Sequence, residues 1–132
     1  MENMDSQENG KTPYCIQGRV WINKNGTCFL ELGYVELLHA ILTEGSINAA
    51  ARKIGVSYQH AWKTIEQMNR LSPLPIVVLK RGGKDGGGAE LTTYGLKVIN
   101  EMNQLEMALA DFLLNANKHF DVCFDSCYTQ IK

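Results

Sequence analysis

The stretch Gly45-Ser46-Ile47-Asn48-Ala49-Ala50-Ala51-Arg52-Lys53-Ile54-Gly55-Val56-Ser57-Tyr58-Gln59-His60-Ala61-Trp62 decides the fold. Ser46 stands where a side-chain oxygen would cap a short helix over Ile47 to Ile54, with Ile47, Ala50, Ala51 and Ile54 on its apolar face. Gly55 supplies the left-handed residue that ends it. Ser57 then caps a second helix, about Tyr58 to Leu71, with Ala61, Ile65 and Met68 facing inward and Trp62 expected beside them in the core. Three consecutive alanines allow two backbones to approach closely. Short helix, glycine turn, second helix and alanines at the crossing together predict a helix-turn-helix.

Working outward, residues 1–13 read as a disordered leader. The β-prone runs Gly18–Ile22 and Thr27–Leu30 flank Asn23-Lys24-Asn25-Gly26, whose Asn-Gly is a hairpin signal. Val35, Leu38, Ile41 and Leu42 recur at helical spacing, so a helix is expected over roughly Tyr34 to Thr43, with Gly45 just past its end. On the other side Pro73 and Pro75 stop the second helix. Ile76–Leu79 reads as a strand, 80–88 as a glycine-rich loop and Ala89–Leu91 as a second strand. Thr92 or Thr93 caps a last helix reaching about Asn115, and 116–132 is read as a tail. Ile99, Met102, Leu105, Leu109, Phe112 and Leu113 make an apolar stripe too long for a small domain to cover, which predicts a dimer seam; packing against its own domain is the alternative. The expected fold is therefore mainly α with small β, an α+β winged helix-turn-helix over 14–115. It has an N-terminal β-hairpin and a long C-terminal dimerisation helix.

The second helix of the motif presents Tyr58, Gln59, His60, Lys63, Gln67 and Arg70 outward. Gln can bond an adenine edge in two places, and Lys and His can reach guanine acceptors or phosphates. Ser46, Ser57 and the amides behind them can face phosphate oxygens. Lys80, Arg81 and Lys84 in the glycine-rich loop supply cations where the backbone can lie close to a phosphate chain, the signature of a wing. A nucleotide P-loop is excluded, since Asp85 follows Lys84 and the loop leads into a strand.

The chain has 132 residues and a formal net charge of −1, which by itself speaks against a polyanion partner. The distribution speaks otherwise. Residues 1–44 carry −3, 45–97 carry +5 and 98–132 carry −3, so the positive share falls on the motif and the wing. No apolar run suits a membrane span, and residues 1–11 lack the apolar stretch of a secretory signal, so a cytoplasmic protein is expected. Cys15, Cys28, Cys123 and Cys127 lack paired zinc-ribbon spacing. His119, Cys123 and Cys127 would share a face if the tail were helical, but an incidental role is the expectation, and no metal or cofactor is assigned. Trp21 reads as packing. No nucleophile array stands out, so the chain is not expected to be an enzyme.

Beyond these patterns, the runs Gly45–Ala51, Gly55–Trp62, Glu66–Leu71 and 82–95 (GGKDGGGAELTTYG) resemble the DNA-binding domain of the ModE molybdate-responsive regulators. The helix-turn-helix half is also similar to LysR-type regulators. The resemblance covers about residues 30–115. It implies a homodimeric winged helix acting in transcription on a palindromic operator near molybdate-transport genes. The bacterial family's full-length members add C-terminal molybdate-binding domains. After Leu114 only 18 residues remain, so no molybdate site is expected in this chain. Asp85 departs from the family's glycine in the wing. The rival reading is a winged-helix adaptor working with a separate effector-binding protein, which would select no DNA site. A metal-responsive regulator using Cys123 and Cys127 is a weaker third.

Overall fold

The structure, a computed structural model, describes residues 14–81 and 87–131, with side chains described as far as His119. The element order is β1 (Ile22–Lys24), β2 (Thr27–Leu30), α1 (Leu32–Glu44), α2 (Ile47–Ile54), α3 (Tyr58–Leu71), β3 (Val77–Lys80), β4 (Gly88–Leu91) and α4 (Thr93–Ile131). This is the expected α+β architecture, with an N-terminal hairpin and a long C-terminal helix. The chain divides into a unit over Val20–Leu105 and a second formed by residues up to Arg19 and from Glu106 onward. Among the described residues no helix is long and apolar enough to cross a membrane.

β1 and β2 pair antiparallel around Asn25-Gly26, whose φ values of 52° and 81° are those of a tight two-residue hairpin turn. β1 is shorter than expected and lies later, taking in Asn23 and Lys24, with a register shift between Ile22 and Asn23. α1 starts two residues earlier than predicted. Val35, Leu37, Leu38, Ala40 and Ile41 are buried, but Leu42 faces solvent, contrary to its apolar spacing. Gly45 ends α1 at φ 80°, donating its amide to Ile41 O at 2.8 Å.

Ser46 and Ser57 each cap as the sequence predicts, their Oγ atoms accepting from Ala49 N and His60 N at 3.0 Å. Gly55 closes α2 at φ 80°, and Val56 N bonds Ala51 O at 3.0 Å, completing a helix-ending motif that aims the chain into α3. α1 packs on α2 and α2 on α3. Ala50, Ala51 and Ala61 are fully buried between them, where a larger side chain would push the helices apart.

β3 and β4 pair antiparallel from Val77–Leu91 to Lys80–Gly88. β4 is fastened to the α1–α2 turn, where Ala89 N donates to Gly45 O at 2.9 Å. Thr92 is the residue that caps α4: its Oγ1 accepts from Gly95 N at 2.9 Å and donates to Pro75 O at 2.6 Å. Gly95 is required there, since a Cβ would stand 2.4 Å from Ile76 O.

α4 corrects the sequence reading twice. It continues to Ile131 rather than ending near Asn115, and no Gly or Pro occurs after Gly95 to stop it. Its early stripe is also not a free seam. Ile99 is 5% exposed and Met102 0%, both inside the same core as Leu38, Met68 and Ile76. Leu105 and Phe112 are exposed. Leu109 and Leu113 are half-buried and lie 3.9 and 3.8 Å from where a Gly18 Cβ would be, all three within the second unit. In that unit Asn117 also clasps Ile16, accepting from its amide at 2.7 Å and donating to its carbonyl at 3.2 Å.

Candidate nucleic-acid interface

One face of α3 points into the core through Ala61, Thr64, Ile65 and Met68. Since residues advance by about 100° along a helix, the opposite face must carry positions 59, 63, 66 and 70. Gln59, Lys63, Glu66 and Arg70 are all exposed there. Ser57, Tyr58 and His60 are exposed at the helix start. Six of the predicted contacts, Ser57 through His60, Lys63 and Arg70, thus lie on one accessible helix. Ser57 Oγ already serves the cap, accepting from His60 N. Ser46 is half-buried, caps α2 and belongs to a different helix.

Gln67 does not join this face. Its Nε2 donates to Cys28 O at 2.7 Å and lies 3.4 Å from Tyr34 Oη, so the amide ties α3 to the β1–β2 hairpin. On the same side, Lys24 Nζ donates to Leu71 O at 2.8 Å, a cation at the negative end of the helix. Behind the tie, burial raises the Cys28 thiol above its ordinary range, partly offset by its hydrogen bond to Tyr34. Burial likewise raises the Tyr34 hydroxyl, reinforced by Cys28. These groups stay protonated at neutral pH and serve packing rather than chemistry.

Trp62 is a correction. It is 37% exposed and lines a shallow open groove on α3 with Tyr58, Gln59, Lys63 and Glu66. Core spacing was the wrong signal, because Trp62 lies about 100° from Ala61. Glu66 was overlooked. Its place seven residues from Gln59 and three from Lys63 was the signal that could have found it.

In the wing, Lys80 and Arg81 are exposed, and Lys80 Nζ pairs with Glu90 Oε1 at 3.0 Å across the strands. Lys84 and Asp85 lie outside the described residues. So do the side chains of Cys123 and Cys127; among the described residues no cluster of three His, Cys, Asp or Glu could hold a metal.

A capped helix with a free polar face, set on a partner helix through a glycine turn and followed by a two-stranded wing, defines a winged helix-turn-helix domain. Residues 32–96 match the family model of the bacterial regulatory helix-turn-helix protein, lysR family. This segment is a DNA-binding domain of the ModE/LysR type. The chain is 47% identical over 73 residues to the molybdenum transport protein ModE of Azotobacter vinelandii, covering 55% of this chain and 27% of that protein. It is 43% identical over 88 residues to the molybdenum-pterin-binding protein MopB of Rhodobacter capsulatus, covering 67% and 33%. It is 43% identical over 91 residues to the DNA-binding transcriptional dual regulator ModE of Escherichia coli K12, covering 69% and 32%. The chain spans about a third or less of the length of these relatives. The family model and the Escherichia coli relative are both described as regulators.

Proposed function

We propose that this protein is a sequence-specific transcriptional regulator that binds a palindromic operator as a homodimer. The observation that carries the reading is the exposed α3 face of Tyr58, Gln59, His60 and Lys63 on the second helix of the motif. In this reading α3 enters the major groove, Gln59 reads an adenine edge, and Lys63 and His60 reach guanine or phosphate. The amides behind Ser57 face a backbone oxygen, while Lys80, Arg81 and Lys84 follow the flanking strand. Exposed Leu105 and Phe112 on α4 support pairing of two copies. The two recognition helices would then address half-sites about 34 Å apart. The names of the relatives join DNA binding to molybdenum transport, so genes of molybdenum handling are the first place to look for the operator.

Selection of genomic fragments by the purified protein, followed by sequencing, tests the reading. An enriched inverted repeat with salt-dependent affinity is the expected result. Equal recovery of all fragments would overturn it, and would favour a protein-interaction role instead.

A further inference from the structure

A shallow groove on the exposed face of α3 runs between the row Tyr58, Trp62 and Glu66 and the row Gln59 and Lys63. Tyr58 and Trp62 stand one turn apart on α3, 52% and 37% exposed, and line the groove. Gln59 and Lys63 flank it, and Glu66, one further turn along, lines its far end. Trp62 is seven residues from Asn69, so the two share a flank of the helix. Asn69 bonds Val77, the first residue of β3, and Ile76 just before it, so that flank is the one turned toward the wing.

We propose that this groove takes the C5-methyl of a thymine, with Trp62 as a specificity-determining residue, an inference that rests on the DNA-binding reading. Two large aromatic side chains left exposed on a groove-entering helix favour an apolar group. The thymine methyl is the apolar group that a base pair displays in the major groove. The Glu66 carboxylate and the Lys63 ammonium line the groove together, so it carries no net charge that would draw a phosphate oxygen into it. Gln59 on the groove's edge is placed to read an adenine of the same or the adjoining pair, so the methyl contact and the amide contact would select one A·T-containing step together.

The test replaces each thymine of a selected fragment by deoxyuridine, which removes the methyl and nothing else. Affinities are measured at fixed salt for the wild type, Trp62→Ala and Trp62→Phe, with thermal melts confirming that each variant folds. One thymine per half-site should cost the wild type about fourfold in affinity on losing its methyl, the effect of burying one such carbon. That penalty should vanish in Trp62→Ala and persist in part in Trp62→Phe. A penalty unchanged in Trp62→Ala overturns the assignment, as does a loss in Trp62→Ala that is equal on thymine and uracil DNA, the result of a sugar or phosphate contact. Failure to select any fragment overturns the DNA-binding reading itself, whereas a selected site with no methyl-sensitive thymine overturns this inference alone.

Discussion

Asn69 clasps Val77 through both of its backbone polar groups: Nδ2 donates to the Val77 carbonyl at 3.0 Å, and Oδ1 accepts from the Val77 amide at 3.2 Å. The same Oδ1 accepts from Ile76 N at 2.8 Å. One side chain near the end of α3 therefore sets where the wing leaves that helix. Ile76 and Val77 are buried, so water cannot replace the amide.

Asn69→Ala should destabilise the fold by about 2 kcal/mol or more, since it strands buried backbone groups. Urea denaturation of the two proteins measures it. A change below about 0.5 kcal/mol, within the range of ordinary surface substitutions, would contradict the clasp.

Two glycines should respond oppositely to alanine. At Gly95 a Cβ would meet the Ile76 carbonyl, and a cost of about 2 kcal/mol or loss of folding is expected. At Gly33, in the first turn of α1, nothing lies within 4 Å of the added carbon. There alanine should stabilise by about 0.5 kcal/mol. Melting temperatures moving the same way would count against this packing.

Gln59 and Gln67 should separate into reader and tie. Gln67→Ala should lower the melting temperature while leaving the ranking of DNA sequences unchanged, because its amide holds Cys28 O. Gln59→Ala should leave stability unaltered and change which fragments are selected. Swapped phenotypes would reverse the two assignments.

Arg81→Ala and Lys84→Ala should each weaken binding on every sequence and reduce the slope of log affinity against log salt by about 0.9. Lys80→Ala should do less, because its ammonium is already paired with Glu90. Glu90→Gln should correspondingly tighten binding. A sequence-selective loss with an unaltered slope would show that the wing reads bases.

Stability should fall in alkali. Cys28 and Tyr34 both hold their protons more tightly in the folded chain than in the unfolded one, whose ordinary values are 9.0 and 10.0. Their contribution is present below those values and is lost as pH rises through the higher folded ones. Denaturant midpoints from pH 7 to 10.5 should fall above about pH 9. Cys28→Ser should flatten the first part of that fall; an identical profile would exclude the thiol as its source.

Local chemistry was legible from the sequence because it acts over a few residues. Ser46, Gly55 and Ser57 mark helix ends through bonds to their own neighbours, and Asn25-Gly26 fits its turn whatever lies around it. The capped pair of helices, the two wing strands and the outward direction of Gln59 and Lys63 follow from these marks and the helical period. That period also contained Glu66, had the whole face been followed around.

Tertiary packing alone decided which apolar side chains are covered and which polar ones are free. Ile99 and Phe112 repeat along one helix and look alike in sequence, yet the core closes over the first and leaves the second in solvent. Trp62 and Gln67 changed places for the same reason. The surface beside Trp62 is open, while the hairpin carbonyl of Cys28 comes within reach of Gln67, a residue 39 positions away in sequence. Burial and long-range hydrogen bonding depend on what another segment brings to a side chain, and no local spacing carries that information.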